Sequence, residues 1–336
     1  MITKKEILKR VKEHYNYLIS MGYEVLFTAL QGSQNYKLDE YSDEYTSDVD
    51  TKSIVLPSLD DFIYNKEPVS TVRIMPNSEE HAEVKDIRVM FEMFKKENIS
   101  YIELLYSDYV IINPKYADAV DKLFKMRDEI ALANVPQFLK CLAGMAHEKD
   151  KALCHPYPGI IDKINKYGYD GKQLSHCARL LLYITDFSNG KSIAECYKPA
   201  EIYKLTLMNY KKQLDENGTE LSVEEACSRS RAYLEEIENI KNELIEDNDY
   251  EINKCAWYFL DELQARIMKQ HILESLTPSF EDFKYFSKEE QEAEVRVIKA
   301  NAVAPKENIY EYYADDGLEN LDADKGERSE FAHDNK

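Results

Sequence analysis

Residues 23–57 read YEVLFTALQGSQNYKLDEYSDEYTSDVDTKSIVLP, and this stretch decides the fold. An apolar run stands on each side of a polar insert, and runs of this length rich in Val, Leu, Phe and Ile are typical of buried strands. Gly32 and Ser33 close the first run, and Asp48 and Asp50 open the second. The pattern predicts a strand, a turn with a polar insert, and a second strand.

The two motifs that flank this insert indicate a site for phosphate and metal. Gly32 allows a sharp turn that brings backbone N–H groups close to a ligand, and Ser33 adds a hydroxyl donor. Residues two apart in a strand point to the same side, so Asp48 and Asp50 project together while Val49 enters the core. Two adjacent carboxylates repel each other unless a cation lies between them, and Mg²⁺ bound to carboxylates and substrate phosphates answers that need.

Simpler interpretations of the same residues exist. A Gly-Ser pair after an apolar run often marks only a turn, and the acidic stretch 39–50 has the composition of a solvated loop or a calcium loop. A calcium loop requires a glycine after its first acidic residues, and no glycine occurs between Gly32 and Gly144. The order strand, Gly-Ser, insert, Asp-x-Asp, strand is much rarer by chance than either motif alone, and it favours the phosphate and metal site.

These motifs resemble the signature of the DNA polymerase beta-like nucleotidyltransferase superfamily. Within it, the chain is most similar to the nucleotidyltransferases associated with RNA-repair ligases in bacteria and phages. The segments that carry the resemblance lie between residues 24 and 190 and are GSQNYKL, SDVDTKSIV, VKDIRVMFEMFKKENISYIELLYS and GKQLSHCARLLLY. The residues at matching positions are Tyr36, Leu38, Ser47, Asn98 and Glu103.

The resemblance implies an α/β fold in which a small mixed sheet with helices, the nucleotidyltransferase core, is followed by an α-helical domain. It implies transfer of a nucleoside monophosphate from an NTP to an acceptor hydroxyl, with release of pyrophosphate and with Mg²⁺, or alternatively Mn²⁺, at Asp48 and Asp50. The superfamily adds a third carboxylate from a neighbouring strand. Glu83 is the favoured candidate, while Asp86 stands where a helix begins and is suited to capping it.

A second candidate region is the helix predicted to begin at Lys172. Lys172, His176 and Arg179 are spaced i, i+4, i+7 and therefore lie on one helix face. A basic stripe of this kind suits a triphosphate, and Arg179 offers a bidentate contact. The alternative is a solvated face of a charged helix. The metal and phosphate site upstream favours the interpretation of this stripe as a nucleotide-binding face. Gly32 and Ser33 are predicted to bind the nucleotide together with it.

The charge balance restricts the partners. The formal net charge is −20, which excludes extended nonspecific binding of DNA or RNA, because Lys and Arg supply most of that affinity. An RNA or tRNA end, a small molecule and a protein hydroxyl all stay open as acceptors. The alternative function is a non-catalytic nucleotide-binding or antitoxin-like interaction module, which loss of the third carboxylate would indicate.

Periodicity predicts strands at 23–30, 49–56, 69–75 and 81–85. It predicts helices at 3–21, 86–97, 99–106, 115–130, 135–152, 172–189, 198–215, 222–246 and 250–275. We expect a catalytic domain at 1–113, a helical domain facing nucleotide and acceptor at 114–277, and an acidic tail at 278–336 that is disordered or lies on the surface.

The chain lacks an uninterrupted apolar stretch of membrane-spanning length, and its basic N-terminus lacks the apolar segment of a signal peptide. The lack of such an apolar stretch predicts no membrane partner. Six scattered cysteines show no zinc-type spacing, which predicts reduced thiols in the cytoplasm. Cys154 and His155, with His147 upstream, are an incidental scatter rather than a metal site.

Overall fold

The computed structural model describes residues 3–41, 47–76 and 78–276. The chain divides into two units, Met1–Ser275 and Leu276–Lys336, and the sheet and helices belong to the first. The acidic tail predicted at 278–336 lies outside the described residues. The domain boundaries predicted from the sequence stay predictions.

A five-stranded mixed sheet holds the N-terminal part of the chain together. Its order is β3-β4-β2-β1-β5, in which only β2 and β4 run parallel. The strands are β1 Glu24–Gln31, β2 Asp50–Leu56, β3 Ser70–Ile74, β4 His81–Asp86 and β5 Val110–Ile112. The four strands predicted from the sequence are confirmed. The short edge strand β5 was not predicted, because so few residues carry no readable alternation.

Helices make up most of the rest of the described chain. They are α1 Lys4–Ser20, α2 Ser33–Tyr36, α3 Leu59–Ile63, α4 Ile87–Lys95, α5 Ile99–Ile102, α6 Ala117–Lys125, α7 Arg127–Ala131, α8 Val135–Leu153, α9 Ile161–Tyr167, α10 Gly171–Ser188, α11 Ile193–Tyr197, α12 Glu201–Lys211, α13 Val223–Glu246 and α14 Lys254–Ser275. Short 3₁₀ turns cover Glu103–Tyr106 and Pro114–Tyr116. Among the described residues, none of these helices is both long and apolar enough to cross a membrane.

Four of the predicted helices differ from the structure. The segment predicted at 99–106 divides into α5 and the 3₁₀ turn Glu103–Tyr106, and the helix predicted at 250–275 begins only at Lys254. The segment predicted at 115–130 is broken at Met126, which ends α6 and precedes α7. The helix predicted at 198–215 is shorter and begins only at Glu201. Pro199 explains the later start, because a proline disfavours helical geometry in the residue before it.

The sheet separates two packing environments. Val25, Val55 and Val84 belong to a cluster that includes Leu18 of α1. Ile54 belongs instead to the large core shared with α4, α8, α10 and α13. Because side chains alternate along a strand, Asp50 and Lys52 are in phase with Ile54 and point to the side that carries the larger helical core.

Gly171 fixes the start of α10 against α12. A Cβ atom at this position would lie 2.1 Å from the carbonyl oxygen of Tyr210, so no larger residue fits without moving the backbone. Asp170 caps the same helix by accepting a hydrogen bond from the Lys172 N–H. The close approach places the N-terminus of α10, with Lys172, beside the C-terminal turn of α12, with Lys211.

Glu97 is a buried acid that makes stability depend on pH. It is fully buried, its Oε1 accepts from the Asn134 N–H at 3.0 Å, and its Oε2 has no partner among the described residues. Burial raises the pKa of Glu97 to about 8. Since the folded state holds the carboxyl proton of Glu97 more tightly than the unfolded state, the protonated Glu97 contributes to stability at low pH. This contribution is lost as the pH rises from about 4.5 towards 8.

We expect Glu97→Gln to remove most of this pH dependence, because the amide keeps the acceptor for Asn134 and carries no charge. When the pH is raised from 4.5 to 8.5, the wild type should lose on the order of 4 kcal/mol more unfolding free energy than the variant loses. Urea unfolding at both pH values measures it, with the exposed Glu92→Gln on α4 as the control. Parallel pH profiles for all three proteins would show that Glu97 ionises freely in the folded state.

Candidate functional site

The Gly-Ser turn and the acidic pair meet where β1 ends and β2 begins, at one end of the sheet. Gln31, the last residue of β1, is paired with Asp50, the first residue of β2. Gly32 follows with a φ of 111°, a conformation that glycine adopts without strain. The Gln34 side chain donates from Nε2 to the carbonyl oxygen of Asp48 at 2.7 Å, so the turn and the acidic strand are bonded to each other.

Asp48 and Asp50 are accessible, whereas the residue between them is buried. Val49 packs against Ile7 and Val11 of α1, as the alternation predicted. Partial burial raises the pKa of Asp48, and the negative charges of Asp50 and Glu79 act in the same direction. Lys172 and Arg10 oppose this shift. The carboxylates therefore repel each other in the protein alone, and a cation beside them would relieve that repulsion.

Asp50 also contacts the neighbouring parallel strand. Its Oδ1 accepts from the His81 N–H at 2.9 Å, and His81 Nδ1 lies 3.5 Å from the same oxygen. The backbone contact fixes the carboxylate at the end of β2, beside β4.

A buried network supports the acidic pair from the α1 side. Glu80 accepts from the Val49 N–H at 2.8 Å, and its carboxylate also pairs with Arg10. His14 Nε2 lies 3.2 Å from Glu80, and His14 Nδ1 lies 2.9 Å from the Thr51 hydroxyl. Glu80 thus holds the backbone between Asp48 and Asp50. The sequence analysis missed it, because nothing in the sequence distinguishes Glu80 from the surrounding acidic residues.

Glu83 has partners of its own. Its carboxylate lies 3.2 Å from Lys52 Nζ and 3.3 Å from Lys85 Nζ, and it accepts from the Tyr101 hydroxyl at 2.9 Å. Burial opposes ionisation, but the two lysines and the tyrosine together lower the pKa of Glu83. Lys52 is almost fully buried, and Glu83 neutralises it. Asp86 caps α4 by accepting from the Arg88 N–H at 2.8 Å, which is the capping role expected of it.

The predicted basic stripe on α10 separates into three environments. Lys172 is exposed and lies close enough to Asp48 to influence its pKa. Burial lowers the pKa of His176 well below its usual value, and the cations Arg179, Lys172, Lys149 and Lys211 lower it further. His176 is therefore neutral at physiological pH and contributes no positive charge to a phosphate.

Arg179 is buried, with an exposure of 4%, and Nη1 donates to Glu103 Oε1 at 2.9 Å. The other oxygen of Glu103 accepts from the Tyr36 hydroxyl at 2.6 Å, and the guanidinium stacks 4.0 Å from the Tyr36 ring centre. This cluster joins α10 to α2, the helix that follows Gly32. Arg179 thereby positions the Gly-Ser turn, and its charge is balanced by Glu103.

Three lysines form what we term the cation cluster: Lys149 on α8, Lys172 on α10 and Lys211 on α12. All three influence His176, and Lys172 also influences Asp48. Burial and the charge of Lys172 lower the pKa of Lys211 to about 8. Within the described chain, no carboxylate lies within salt-bridge distance of these lysines, although Lys211 donates to the Leu38 carbonyl at 2.6 Å. Sequence reasoning missed Lys149 and Lys211, because they lie on separate helices far from the motifs.

The carboxylates do not form a complete metal centre by themselves. In the part of the chain that the structure describes, no group of three or more His, Cys, Asp or Glu side chains is arranged to hold a metal ion. Asp48 and Asp50 lie together at the end of β2, while Glu83 faces Lys52 and Lys85. The cysteine and histidine residues near Cys154 form no such group either.

No family model matches the chain, and no curated protein matches it. Among solved structures, the chain is similar to a nucleotidyltransferase-like protein from Exiguobacterium sibiricum 255-15. The alignment covers 88% of this chain and 89% of that one, with 11% sequence identity and a TM-score of 0.26. At that score the likeness carries no argument about activity.

Proposed function

We propose that this protein is a nucleotidyltransferase that transfers a nucleoside monophosphate from a metal-bound NTP to an acceptor hydroxyl. The observation that carries the proposal is an accessible acidic pair near Lys172 of the cation cluster, at the end of the sheet where the glycine turn also lies. A magnesium nucleoside triphosphate has the complementary charges: a cation for the carboxylates, and phosphates for the lysines.

The residues at the acidic pair fit Mg²⁺. Asp48 and Asp50 offer hard oxygen ligands, and burial together with the charge of Asp50 raises the pKa of Asp48 in the protein alone. Mg²⁺ commonly uses one or two carboxylates and completes its shell with water and substrate phosphates, so a larger protein ligand group is unnecessary. When bound, the ion supplies charge neutralisation at the transferring phosphate and at the pyrophosphate leaving group.

The protein side chains divide the remaining tasks. Lys172 and Lys211 attract the phosphates, while the backbone N–H groups at Gly32 and Ser33 offer hydrogen bonds to phosphate oxygens. Glu80 and Gln34 hold the acidic strand and the turn in place through their bonds to Val49 and Asp48. Because these groups are fixed before substrate arrives, they orient the triphosphate for attack by the acceptor.

A labelled-nucleotide assay tests the proposal. The full chain is incubated with each of the four labelled NTPs, with Mg²⁺ or Mn²⁺, and with a tRNA, an RNA carrying a free 3′ hydroxyl, or no acceptor other than the protein. We expect pyrophosphate release and label transfer that both require metal. Metal-dependent ATP binding without transfer to any acceptor would instead favour the non-catalytic nucleotide-binding module. The ion pairs of Glu83 with Lys52 and Lys85 also favour that alternative, because they engage the carboxylate that a third metal ligand would need.

A charge-balanced variant separates two roles of Glu83. We expect Glu83→Gln alone to destabilise the fold by about 3–5 kcal/mol, because it leaves the buried Lys52 without its nearest carboxylate. The double variant Lys52→Met/Glu83→Gln removes both charges and should recover most of that loss. Urea unfolding measures the stability of both proteins.

Transfer activity is then measured on the stable double variant, so that loss of folding does not obscure loss of chemistry. If Glu83 is the third metal ligand predicted from the resemblance, the double variant stays inactive although it is folded. Transfer close to the wild-type rate would show that Glu83 serves only to neutralise Lys52, and that Asp48 and Asp50 bind the metal without it.

A further inference from the structure

Cys154 and Cys227 are in contact although they lie far apart in the chain. Their sulfur atoms are 3.4 Å apart, and all six cysteines of the chain are free thiols. Cys154 is the residue at which α8 ends, and Cys227 lies in the second turn of α13. Among the described residues, no other pair of cysteines forms a sulfur–sulfur contact.

Three features of this pair suit formation of a bond. Cys154 is exposed and Cys227 is partly exposed, so a small oxidant reaches them. Cys154 terminates its helix, and the residues that follow are exposed as far as Gly159, so the backbone there is free to adjust. Forming a disulfide requires the sulfurs to approach to about 2.05 Å, a movement of little more than an ångström.

We propose that Cys154 and Cys227 form a reversible intramolecular disulfide, a modification site that locks α8 to α13. With hydrogen peroxide as the oxidant, one thiol is oxidised to a sulfenic acid and a first water is released. The second thiol attacks that sulfur and a second water leaves, so two thiols and one peroxide give one disulfide and two waters. A thiol reductant reverses the reaction by exchange.

The position of the bond links it to the cation cluster. Leu153, next to Cys154, accepts a hydrogen bond from the Asp170 N–H at 2.8 Å, and Asp170 in turn accepts from the Lys172 N–H. Lys149 lies on α8, five residues before Cys154. The disulfide therefore fixes the helix ends that carry Lys149 and Lys172.

The same geometry sets the speed of the reaction. Burial and the neighbouring Cys227 raise the pKa of Cys154 to about 11. Since the thiolate is the reactive form, oxidation at neutral pH is slow and accelerates as the pH rises. Cys255 is an exposed thiol with no sulfur contact among the described residues, and it serves as the internal reference.

Mass spectrometry of the folded full-length chain tests the proposal, independently of any catalytic activity. After treatment with hydrogen peroxide and blocking of the remaining thiols, we expect a loss of about 2 Da. Peptide mapping should join Cys154 to Cys227, and dithiothreitol should reverse it. Cys154→Ser and Cys227→Ser should each abolish the cross-link, while Cys255→Ser and Cys141→Ser should leave it unchanged.

Two controls make the result decisive. Oxidation in urea should give a mixture of pairings, because only the folded chain selects this pair, and the oxidised folded chain should unfold at a higher urea concentration than the reduced chain. Oxidation of Cys255 to sulfinic acid with Cys154 and Cys227 still unlinked would overturn the proposal. A cross-link mapped to any other pair would overturn it as well.

Discussion

Replacing Asp50 by Asn is expected to lower nucleotidyl transfer at least about a hundredfold while the fold stays intact. Loss of groups that only support a metal ligand already costs about 10–100-fold, and this change removes a charged ligand itself. The amide oxygen still accepts from the His81 N–H, so the end of β2 keeps its contact with β4. Pyrophosphate release at saturating ATP and Mg²⁺ measures the effect.

The control for this change is Asp60→Asn on α3, an exposed aspartate that also loses one negative charge. We expect it to transfer at the wild-type rate. Asp48→Asn should resemble Asp50→Asn, because the two carboxylates act on the same cation. If Asp50→Asn retained wild-type turnover while remaining folded, the metal would have to be held elsewhere and the proposed reaction would lose its basis.

Breaking the buried pair of Arg179 and Glu103 is expected to destabilise the fold strongly. Arg179→Met leaves a buried carboxylate whose remaining bond comes from Tyr36, and removal of one partner from such a pair typically costs about 3–5 kcal/mol. The double variant Arg179→Met/Glu103→Gln removes both charges and should unfold close to the wild type. Urea unfolding of the three proteins at one pH measures the difference.

Arg127→Met is the matched control, because Arg127 also lies over a tyrosine ring, that of Tyr106, and has no buried carboxylate partner among the described residues. We expect it to cost no more than about 1 kcal/mol. If Arg179→Met were as stable as the wild type but raised the KM for ATP, Arg179 would act on the nucleotide, as the helix spacing predicted. If Arg179→Met and Glu103→Gln each lose stability and the double variant recovers it, the result supports a positioning role for Arg179.

Local chemistry explains why the sequence was sufficient to predict four of the five strands. Each of the four predicted strands is an apolar or alternating run bounded by polar residues, and burial of such a run on a sheet is the dominant free-energy gain. The alternation around Val49 also predicted that Val49 enters the core, which its burial confirms. The Gly-Ser turn and the acidic pair were expected to meet, and the pairing of Gln31 with Asp50 brings them together.

Spacing on one helix was a weaker guide to the nucleotide-binding face. Lys172, His176 and Arg179 do share a face of α10. Their spacing, however, specifies only the direction in which the side chains point and not which residues of other elements pack against them. Glu103 approaches from another element and pairs with Arg179, and burial among cations leaves His176 neutral. Only Lys172 stays exposed, beside Asp48.

The sequence by itself determined four of the five strands, the glycine turn and the acidic pair, because those depend on residues that are neighbours in the chain. Only the tertiary structure decided which charges are neutralised and which stay free. Lys149 and Lys211 join Lys172 through the packing of α8, α10 and α12, and Glu83 is held by Lys52 across the parallel pair β2 and β4. Electrostatic energy falls with distance in space and not along the chain, so a charge's function follows from its partners in the fold.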